Sequence, residues 1–378
     1  MPPTLLAHHW FFQPRGGERV LAELAALVPD SPILTAFATR DVNGWPKEIA
    51  ALVPRVRPSR IQPLYRLAEQ VPACTPLLLP LLPWGMRRSF SRELAAADRV
   101  VVSDAGLAKT LALATATPTV VYLHSPMRHI WHDAEQTLAR LPAGLRTVGD
   151  RTLAGLRRID RESASRVAAW AVNSRTTAER AAAAYGLPVD RFPVIHPPVE
   201  VPAEPPADLP RSGLLVVSGM EPYKNDMLAV QAAARLDRAI TVVGDGPERR
   251  RLATAAGSRA RFLGKVSDAD LDQLYRTHSV LLFCGVEDFG IVPVEAAARG
   301  CPVVALGKGG ATETIEPAAT GVFFSEPAVD AVIAAIEASD HIAWNRTLMH
   351  ARAARFAPMR FRAEISGWLD CVPPRRPS

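Results

Sequence analysis

Short apolar runs alternate with longer amphipathic stretches along most of the chain. In the first half the apolar runs are PILTAF, RVVVSD, PTVVYLH and AAWAVNS, and the stretches between them, such as ERVLAELAALV and TTAERAAAAYG, have helical spacing. In the second half the apolar runs are GLLVVSG, AITVVGDG, ARFLG, SVLLFCG and PVVALG. Continuous apolar strands that alternate with helices are typical of parallel sheets covered on both faces. The pattern therefore predicts an α/β protein with two such sheets.

A proline-rich stretch separates the two halves. Residues 199–212, VEVPAEPPADLPRS, show little periodicity, which indicates an extended linker. We predict a first domain over 1–200, the linker over 201–212 and a second domain over 213–344, with a C-terminal helix near 345–370 that packs back on the first domain. The two domains are expected to face a central cleft, with ligands at the carboxyl ends of the strands.

Composition indicates a globular protein without a membrane span or leader. Of the 378 residues, 48% are hydrophobic and 22% charged. The strongest apolar stretch, Pro76–Met86, is too short for a spanning helix and is interrupted by prolines. The N-terminus lacks the basic region and cleavage site of a signal peptide. The scattered cysteines Cys74, Cys284, Cys301 and Cys371 are expected to be buried reduced thiols, as in a cytoplasmic protein.

Positive charge is concentrated in the first half of the chain. Residues 1–200 contain 24 Lys and Arg against 17 Asp and Glu, a balance of +7, whereas residues 201–378 contain 20 against 21, or −1. Seven arginines flank the apolar segment: Arg55, Arg57, Arg60, Arg66, Arg87, Arg88 and Arg92. This pattern suits an anionic lipid surface, and the alternative is a solvated arginine-rich face. No nucleic-acid-binding motif is present, so we expect no nucleic-acid partner.

The stretch EDFGIVPVE carries the strongest functional signal. It follows the apolar run SVLLFCG, and a turn at Gly290 leads into an alanine-rich helix whose free N–H groups favour a phosphate. Glu287 and Glu295, eight residues apart, can both face one hydroxyl-rich ligand such as a sugar. The alternative is a solvated helix start with two acids that complement the dipole.

Three further motifs follow strand ends or precede helices. In GMEPYKN, Lys224 stands before a helix, where an ammonium and helix N–H groups would hold a diphosphate together. In QPRGGERV, Gly16 and Gly17 allow close backbone approach to a ligand, but the motif is not G-x-G-x-x-G, which disfavours an oxidoreductase. In YLHSPMRHIWH, His124 at a strand end and Arg128 are either catalytic or substrate-binding candidates, or structural residues.

Taken together, these motifs resemble the retaining glycosyltransferases of family 4, which have the GT-B fold of two Rossmann-like domains. The segment EDFGIVPVEAAARGCPVVA resembles the E-x7-E signature of that family, and VSGMEPYKN, VGDGPERRRL, FLGKVSDADLDQLY, GGATETI and TGVFF match its pattern in order. In the first half, GGERVLAEL, YLHSPMRHIWH, AVNS with AAAAYG, and VIHPPVE resemble the branch that includes mannosyltransferases of surface-polysaccharide and O-antigen assembly.

The resemblance implies a donor site in the second half. Lys224 would bind the donor diphosphate and Glu295 would bind the ribose. Glu287 would be a catalytic residue that holds hydroxyls of the transferred sugar, and it is also the candidate nucleophile for the less favoured double displacement. Three residues would offer their backbone to the diphosphate: Phe289, Gly290 and Ile291. The choice of base would be set around three more: Gly264, Lys265 and Val266.

The resemblance also assigns residues of the first half. His124 would be catalytic, against the sugar and the reacting centre, and Gly16 and Gly17 would form a loop near the phosphates and the acceptor. Many members carry a diphosphate-binding arginine five residues before the lysine, and here that position is Gly219. Arg128 is a candidate to compensate for the missing cation.

The implied activity is transfer of a hexose from a nucleotide sugar to a hydroxyl group, with retained configuration, no cofactor and no metal. The branch favours GDP-mannose, with a UDP-sugar as the alternative donor. The acceptor would be a glycan or polyprenyl-linked glycan, with the enzyme cytoplasmic and peripheral on the inner face of the cell membrane. Rival functions are a sugar-nucleotide epimerase or phosphorylase of the same fold, and a non-catalytic nucleotide-sugar-binding partner subunit.

Overall fold

The chain divides into two compact units, each of which is described by itself. The computed structural model describes residues 4–14, 16–64, 79–139 and 141–372. The first unit comprises Met1–Pro198 and Phe361–Ser378, and the second comprises Val199–Arg360. The proline-rich stretch contains no helix or strand and is counted in the second unit.

The first unit is built on a six-stranded parallel sheet. Its strands are β1 (Thr4–His8), β2 (Ile33–Thr35), β3 (Val56–Pro58), β4 (Arg99–Asp104), β5 (Thr119–Leu123) and β6 (Ala169–Val172). The order in space is β3-β2-β1-β4-β5-β6, and all neighbours are parallel. Its described α-helices are Gly16–Leu27, Lys47–Ala50, Leu81–Ser89, Ser91–Ala96, Ala134–Ala139, Arg146–Ser165, Arg175–Tyr185 and, across the unit boundary, Pro358–Asp370. Buried apolar side chains cover both faces of the sheet, as parallel strands require.

The second unit repeats the architecture. Its strands are β7 (Leu214–Val217), β8 (Ile240–Val243), β9 (Ala260–Gly264), β10 (Val280–Phe283), β11 (Val303–Leu306) and β12 (Gly321–Phe324), in the order β12-β11-β10-β7-β8-β9. All neighbours are again parallel. Its α-helices are Asp226–Arg235, Arg249–Ala255, Asp268–Thr277, Ile291–Ala298, Ala311–Thr314, Val329–Asp340 and Arg346–Ala353.

The predicted fold class is confirmed, and all nine apolar runs form strands. Three strands were not predicted from periodicity. β1 is the short apolar start of the chain, β3 is a three-residue edge strand without a buried residue, and β12 is the TGVFF motif. An edge strand needs no continuous apolar run, because it is paired on one side only.

The last helix joins the core of the first unit. Phe361, Ile365 and Leu369 are buried in one cluster with apolar residues of β1 and of the helix Gly16–Leu27. The Arg99 guanidinium of β4 donates to the Leu369 carbonyl over 2.7 Å. Because these side chains are part of the buried cluster, removal of this helix would expose apolar residues of the first unit.

The cysteine prediction needs one correction. Cys284 and Cys301 are buried free thiols, and burial raises the pKa of the Cys301 thiol to about 12. Cys371, which directly follows the helix Pro358–Asp370, is also free but exposed. Cys74 lies outside the described residues, as does Arg66. No helix of the described part is long and apolar enough to cross a membrane.

Both sheets have the same point of reversal. Successive strands add to one side and then, with β4 in the first sheet and β10 in the second, to the other. In open α/β sheets, ligands bind beyond the carboxyl ends of the strands at such a switch point. The candidate ligand sites are therefore the loops after β1 and β4 in the first unit and the loops after β7 and β10 in the second.

Candidate functional site

In the second unit, Lys224 lies on a tightly wound loop after β7. The loop contains a single 3₁₀ turn, Pro222–Lys224, before the helix Asp226–Arg235 begins. Met220 and Asn225 have φ angles of 46° and 53°, in the left-handed region that few non-glycine residues occupy. Such backbone persists only where the surroundings enforce it, and it occurs frequently at binding sites.

The GDGP turn after β8 supplies those surroundings. A Cβ atom on Gly244 would lie 1.9 Å from the Ser218 carbonyl oxygen, and one on Gly246 would lie 1.9 Å from the Gly219 oxygen. Only glycine permits this approach. The Gly244 N–H also donates to the Gly264 carbonyl over 2.7 Å, which connects the predicted base-reading segment to the same turn.

The predicted residues Lys224 and Glu287 meet at the switch point. The Lys224 ammonium donates a charge-assisted hydrogen bond to the Glu287 carboxylate, and the two side chains are 16% and 22% exposed. Burial lowers the pKa of Lys224, but the Glu287 carboxylate, together with Tyr223 and Asp226, outweighs burial and the pKa is raised. Lys224 therefore stays charged, and a ligand can still reach the pair.

The EDFG turn is clamped by the GKGG loop that follows β11. The Gly310 N–H donates to the Glu287 carbonyl over 2.8 Å, and a Cβ atom on Gly310 would lie 2.3 Å from the Phe289 carbonyl oxygen. Gly290, with φ 87°, precedes the helix Ile291–Ala298. These contacts fix the turn in place. The helix begins directly after it, and the first N–H groups of a helix have no acceptor within the helix.

Glu295 lies one turn into the same helix and is 8% exposed. Its carboxylate accepts a hydrogen bond of 3.1 Å from the Tyr275 hydroxyl. The pKa of Tyr275 is raised well above its usual range, mainly by burial and secondly by the Glu295 carboxylate. Tyr275 was not predicted as a site residue. The sequence shows only that the segment FLGKVSDADLDQLY ends on this tyrosine. The structure shows that the tyrosine is buried, and the hydroxyl of a buried tyrosine usually has a hydrogen-bond partner.

A buried carboxylate supports the Lys224 loop from beneath. Asp226, 8% exposed, accepts a 2.6 Å hydrogen bond from the Ser218 hydroxyl, whose oxygen accepts in turn from the Met220 N–H over 3.0 Å. Burial raises the pKa of Asp226 to about 6, while the Ser218 hydrogen bond and the Lys224 ammonium oppose the shift.

In the first unit, three histidines and a serine gather at the other switch point. His8 ends β1, and its Nδ1 lies 3.0 Å from Ser103 Oγ at the end of β4. That oxygen lies 2.8 Å from Nε2 of His124, which follows β5. His9 is buried, and its pKa is well below the usual range because of burial first and the neighbouring His8 and His124 rings second. His9 is therefore neutral near pH 7.

The predicted glycine loop lies against this cluster. The helix Gly16–Leu27 begins at the first glycine, and a Cβ atom on Gly17 would be 3.7 Å from His124 Nε2 and 3.6 Å from His8 Cε1. The next residue, Glu18, is buried with a carboxylate oxygen 3.8 Å from His8 Nε2. The structure thus brings Gly17 and His124 together.

Arg128 lies half-buried in the turn after His124, and its carbonyl accepts from the Asp133 N–H over 2.8 Å.

A buried ion triplet underlies the histidine cluster, and sequence reasoning missed it. Lys109 is fully buried, with its ammonium 3.1 Å from Asp104 Oδ2 and 2.7 Å from Asp160 Oδ1. Asp160 also accepts from the Trp131 indole over 2.8 Å. Although burial lowers the pKa of Lys109, the two carboxylates outweigh it and raise the pKa well above its usual value. Among the described residues, no group of three or more His, Cys, Asp or Glu side chains is arranged to hold a metal.

The sequence of the second unit has a family match. Residues 202–339 match the family model described as "Glycosyl transferases group 1". D-inositol 3-phosphate glycosyltransferases of Mycobacterium tuberculosis and Mycobacterium bovis are 30% identical over 177 residues, which cover 41% of this chain and 37% of those proteins. The chain therefore spans less than half the length of the curated relatives it matches.

Solved structures extend the likeness over both units. A crystal structure of HepE from Anabaena, in complex with UDP and glucose, has a TM-score of 0.72 at 18% identity and covers 98% of this chain and 100% of that one. Sucrose-phosphate synthase from Thermosynechococcus elongatus has a TM-score of 0.69 at 17% identity, covering 97% and 98%. This likeness confirms the GT-B fold, and the roles of individual residues stay predictions.

Proposed function

We propose that the protein is a nucleotide-sugar-dependent glycosyltransferase that moves a hexose to a hydroxyl group of a glycan or lipid-linked glycan. One observation carries the proposal. At the β7/β10 switch point, the charged Lys224 of an enforced loop is paired with Glu287. The turn that begins at Glu287 leads into the helix Ile291–Ala298, and the first N–H groups of a helix have no partner within the helix. This combination suits a diphosphate, and the group 1 glycosyl transferase match covers the segment.

The same arrangement explains how the donor would be activated. As the anomeric C–O bond breaks, negative charge builds on the leaving diphosphate, and fixed positive groups stabilise that charge. Lys224 and the helix N-terminus at Gly290 would supply them. Glu287 holds the ammonium in place before a donor arrives, and on binding it is expected to turn to hydroxyls of the transferred sugar.

Retention of configuration and independence from metals are parts of this proposal that rest on the family resemblance. Retention would place the acceptor hydroxyl on the face from which the diphosphate departs. A product assay that separates the two anomers tests the first part, and an assay with and without EDTA tests the second. An inverted product or loss of activity with EDTA would contradict the respective part.

Two donors compete within the proposal. The branch resemblance of the first half favours GDP-mannose and hence a mannosyltransferase, whereas the HepE structure contains UDP and glucose, which favours a UDP-hexose. The first experiment is thermal unfolding of the protein with GDP, UDP, ADP or dTDP, each with and without Mg²⁺. A ligand at about 100 times its dissociation constant adds about 2.7 kcal/mol of stability. A shift with one base identifies the donor class, and the absence of any shift would contradict an active transferase.

Lys224→Ala tests the diphosphate site directly. Loss of a charged hydrogen-bonded partner is expected to weaken nucleoside diphosphate binding by about 2–4 kcal/mol, or roughly 30–1000-fold. Arg235→Ala is the matched control, since it removes an exposed cation of the same unit that is paired with Asp330. Glu287→Gln should instead leave the diphosphate bound at least as tightly, because it releases Lys224, while sugar transfer falls. Normal binding by Lys224→Ala would place the diphosphate elsewhere.

We also propose that the first unit binds the surface of an anionic membrane. A groove of about 630 Å³ is lined by Arg60, Trp84, Arg87, Arg88 and Arg92 together with three smaller residues, and Trp84 is 52% exposed. Arg60, Arg88 and Arg92 are exposed, whereas Arg87 is half-buried and its Nε donates to the Pro83 carbonyl over 3.1 Å. Cations around an exposed indole suit an anionic lipid surface. Arg55 does not belong to this surface, because its guanidinium donates to the carbonyls of Ser31, Ala25 and Val28.

Vesicle sedimentation tests this contact. The protein is expected to sediment with phosphatidylglycerol vesicles and not with phosphatidylcholine vesicles, and Arg87→Glu with Arg88→Glu should abolish sedimentation. Each basic residue near the surface contributes about 1 kcal/mol, so the double charge reversal should exceed a 10-fold effect. Arg238→Glu, on the second unit, is the control. Equal sedimentation of all variants would contradict the proposed surface.

A further inference from the structure

The histidine cluster of the first unit contains a hydrogen-bond chain whose direction is fixed by its first member. His8 Nδ1 lies 3.1 Å from the Ser103 carbonyl oxygen and 3.0 Å from the hydroxyl oxygen of the same residue. A carbonyl oxygen only accepts hydrogen bonds. Nδ1 of His8 must therefore carry a proton, since a lone pair there would face the carbonyl oxygen. This holds whether His8 is neutral or is charged beside the Glu18 carboxylate, 3.8 Å from its Nε2.

The second member of the chain is the Ser103 hydroxyl, which is fully buried. Because His8 donates to this oxygen, the hydroxyl hydrogen points elsewhere. Among the described residues, its remaining hydrogen-bond partner is His124 Nε2 at 2.8 Å. A buried hydroxyl that leaves its hydrogen unused pays the full desolvation cost, so the serine donates to His124.

We infer that Ser103, oriented by His8, is a positioning residue that fixes His124 as the neutral tautomer with its proton on Nδ1. Nε2 of His124 is the acceptor in this arrangement, and the Nδ1 side of the ring is the donor side. The catalytic consequence for His124 rests on the proposed transferase activity, whereas the tautomer itself does not.

The experiment is NMR of histidine-labelled protein without ligand at about pH 7.5, where long-range ¹H–¹⁵N correlations distinguish the two neutral tautomers. The signals of His124 are identified by their loss in His124→Gln. We expect wild-type His124 to be protonated on Nδ1. Ser103→Ala should convert it wholly or partly to the Nε2-protonated form, and Ser103→Thr, which keeps the hydroxyl, should restore the wild-type pattern. Ser125→Ala is the matched control, because this neighbouring buried hydroxyl donates to the Pro126 carbonyl instead.

A wild-type His124 protonated on Nε2 would overturn the inference without any variant, so the test survives a variant that fails to fold. Where a transferase assay is available, Ser103→Ala should lower kcat about 10-fold and leave nucleoside diphosphate affinity unchanged. An unchanged kcat would overturn the positioning role. A wild-type protein that transfers no sugar would contradict the proposed function instead, and the NMR result would still decide the tautomer.

Discussion

The two units have the same strand order and the same switch point, but the side chains placed there differ in kind. In the first unit the switch point contains neutral or buried groups: His9, Ser103 and, beneath them, the fully buried Lys109. In the second unit it contains the accessible pair of Lys224 and Glu287 on backbone with positive φ angles. The fold therefore gives both units the same switch point, and the loop residues place buried hydrogen-bonding groups at one of them and an accessible ion pair at the other.

The largest expected effect sharpens this comparison by removing the buried charge of the first unit. Lys109→Met would leave Asp104 and Asp160 without their cation and should lower the free energy of unfolding by about 3–5 kcal/mol. Lys47→Met, at an exposed position, is the control and should change it by less than about 0.5 kcal/mol. Chemical denaturation measures both variants. Equal stability of the two would show that Lys109 is no structural counter-ion.

Sequence patterns predicted the architecture well because they depend on local rules. Nine of the strands were readable as apolar runs, since a parallel strand buried on both faces leaves little room for polar residues. The meeting of Lys224 with Glu287 also follows from strand-end motifs once the sheet order is known. The sheet order itself depends on pairing between distant segments, which no local window contains.

The sequence did not predict the contacts between residues that are distant along the chain and buried in the protein interior. Lys109 and Asp160 are 51 positions apart and lie in otherwise ordinary stretches, so nothing in the sequence indicates that they form a buried pair. Gly244 and Gly246 stand in the segment VGDGPERRRL, and only the structure shows that they lie against the Lys224 loop. Sequence identifies a glycine but not the backbone that approaches it.

A second prediction concerns the buried acid of the second unit. The pKa of Asp226 is about 6 in the folded protein and close to its ordinary value of 3.8 when unfolded, so the folded state binds this proton more tightly. Its contribution to the free energy of unfolding therefore falls as pH rises from about 4 to above 6, by at most about 3 kcal/mol. Between about pH 5 and about pH 7.5, wild type should therefore lose more stability toward denaturation than Asp226→Asn does. A parallel response of the two proteins would refute this assignment.

The third prediction tests whether the GDGP turn shapes the Lys224 loop. Gly246→Ala forces a Cβ atom against the Gly219 carbonyl, which should cost about 1–3 kcal/mol and weaken nucleoside diphosphate binding. Gly257→Ala is the matched control, because its nearest contact is the Ala234 methyl at an ordinary 3.8 Å. Calorimetric titration with the diphosphate measures the difference. Normal binding by Gly246→Ala would mean that the loop adapts and is not enforced.

The smallest expected effect concerns Gly219, where an added arginine would place a second cation near Lys224. Gly219 stands where many members of the family that the sequence resembles carry an arginine, and a Cβ atom there meets nothing within 4 Å. Gly219→Arg should therefore fit without strain and tighten nucleoside diphosphate binding about 5-fold, or about 1 kcal/mol, since an accessible cation is partly screened by water. Gly219→Met adds similar bulk without charge and should leave binding unchanged. If the two variants bind alike, position 219 does not face the diphosphate, and the second unit relies on Lys224 and the helix start alone.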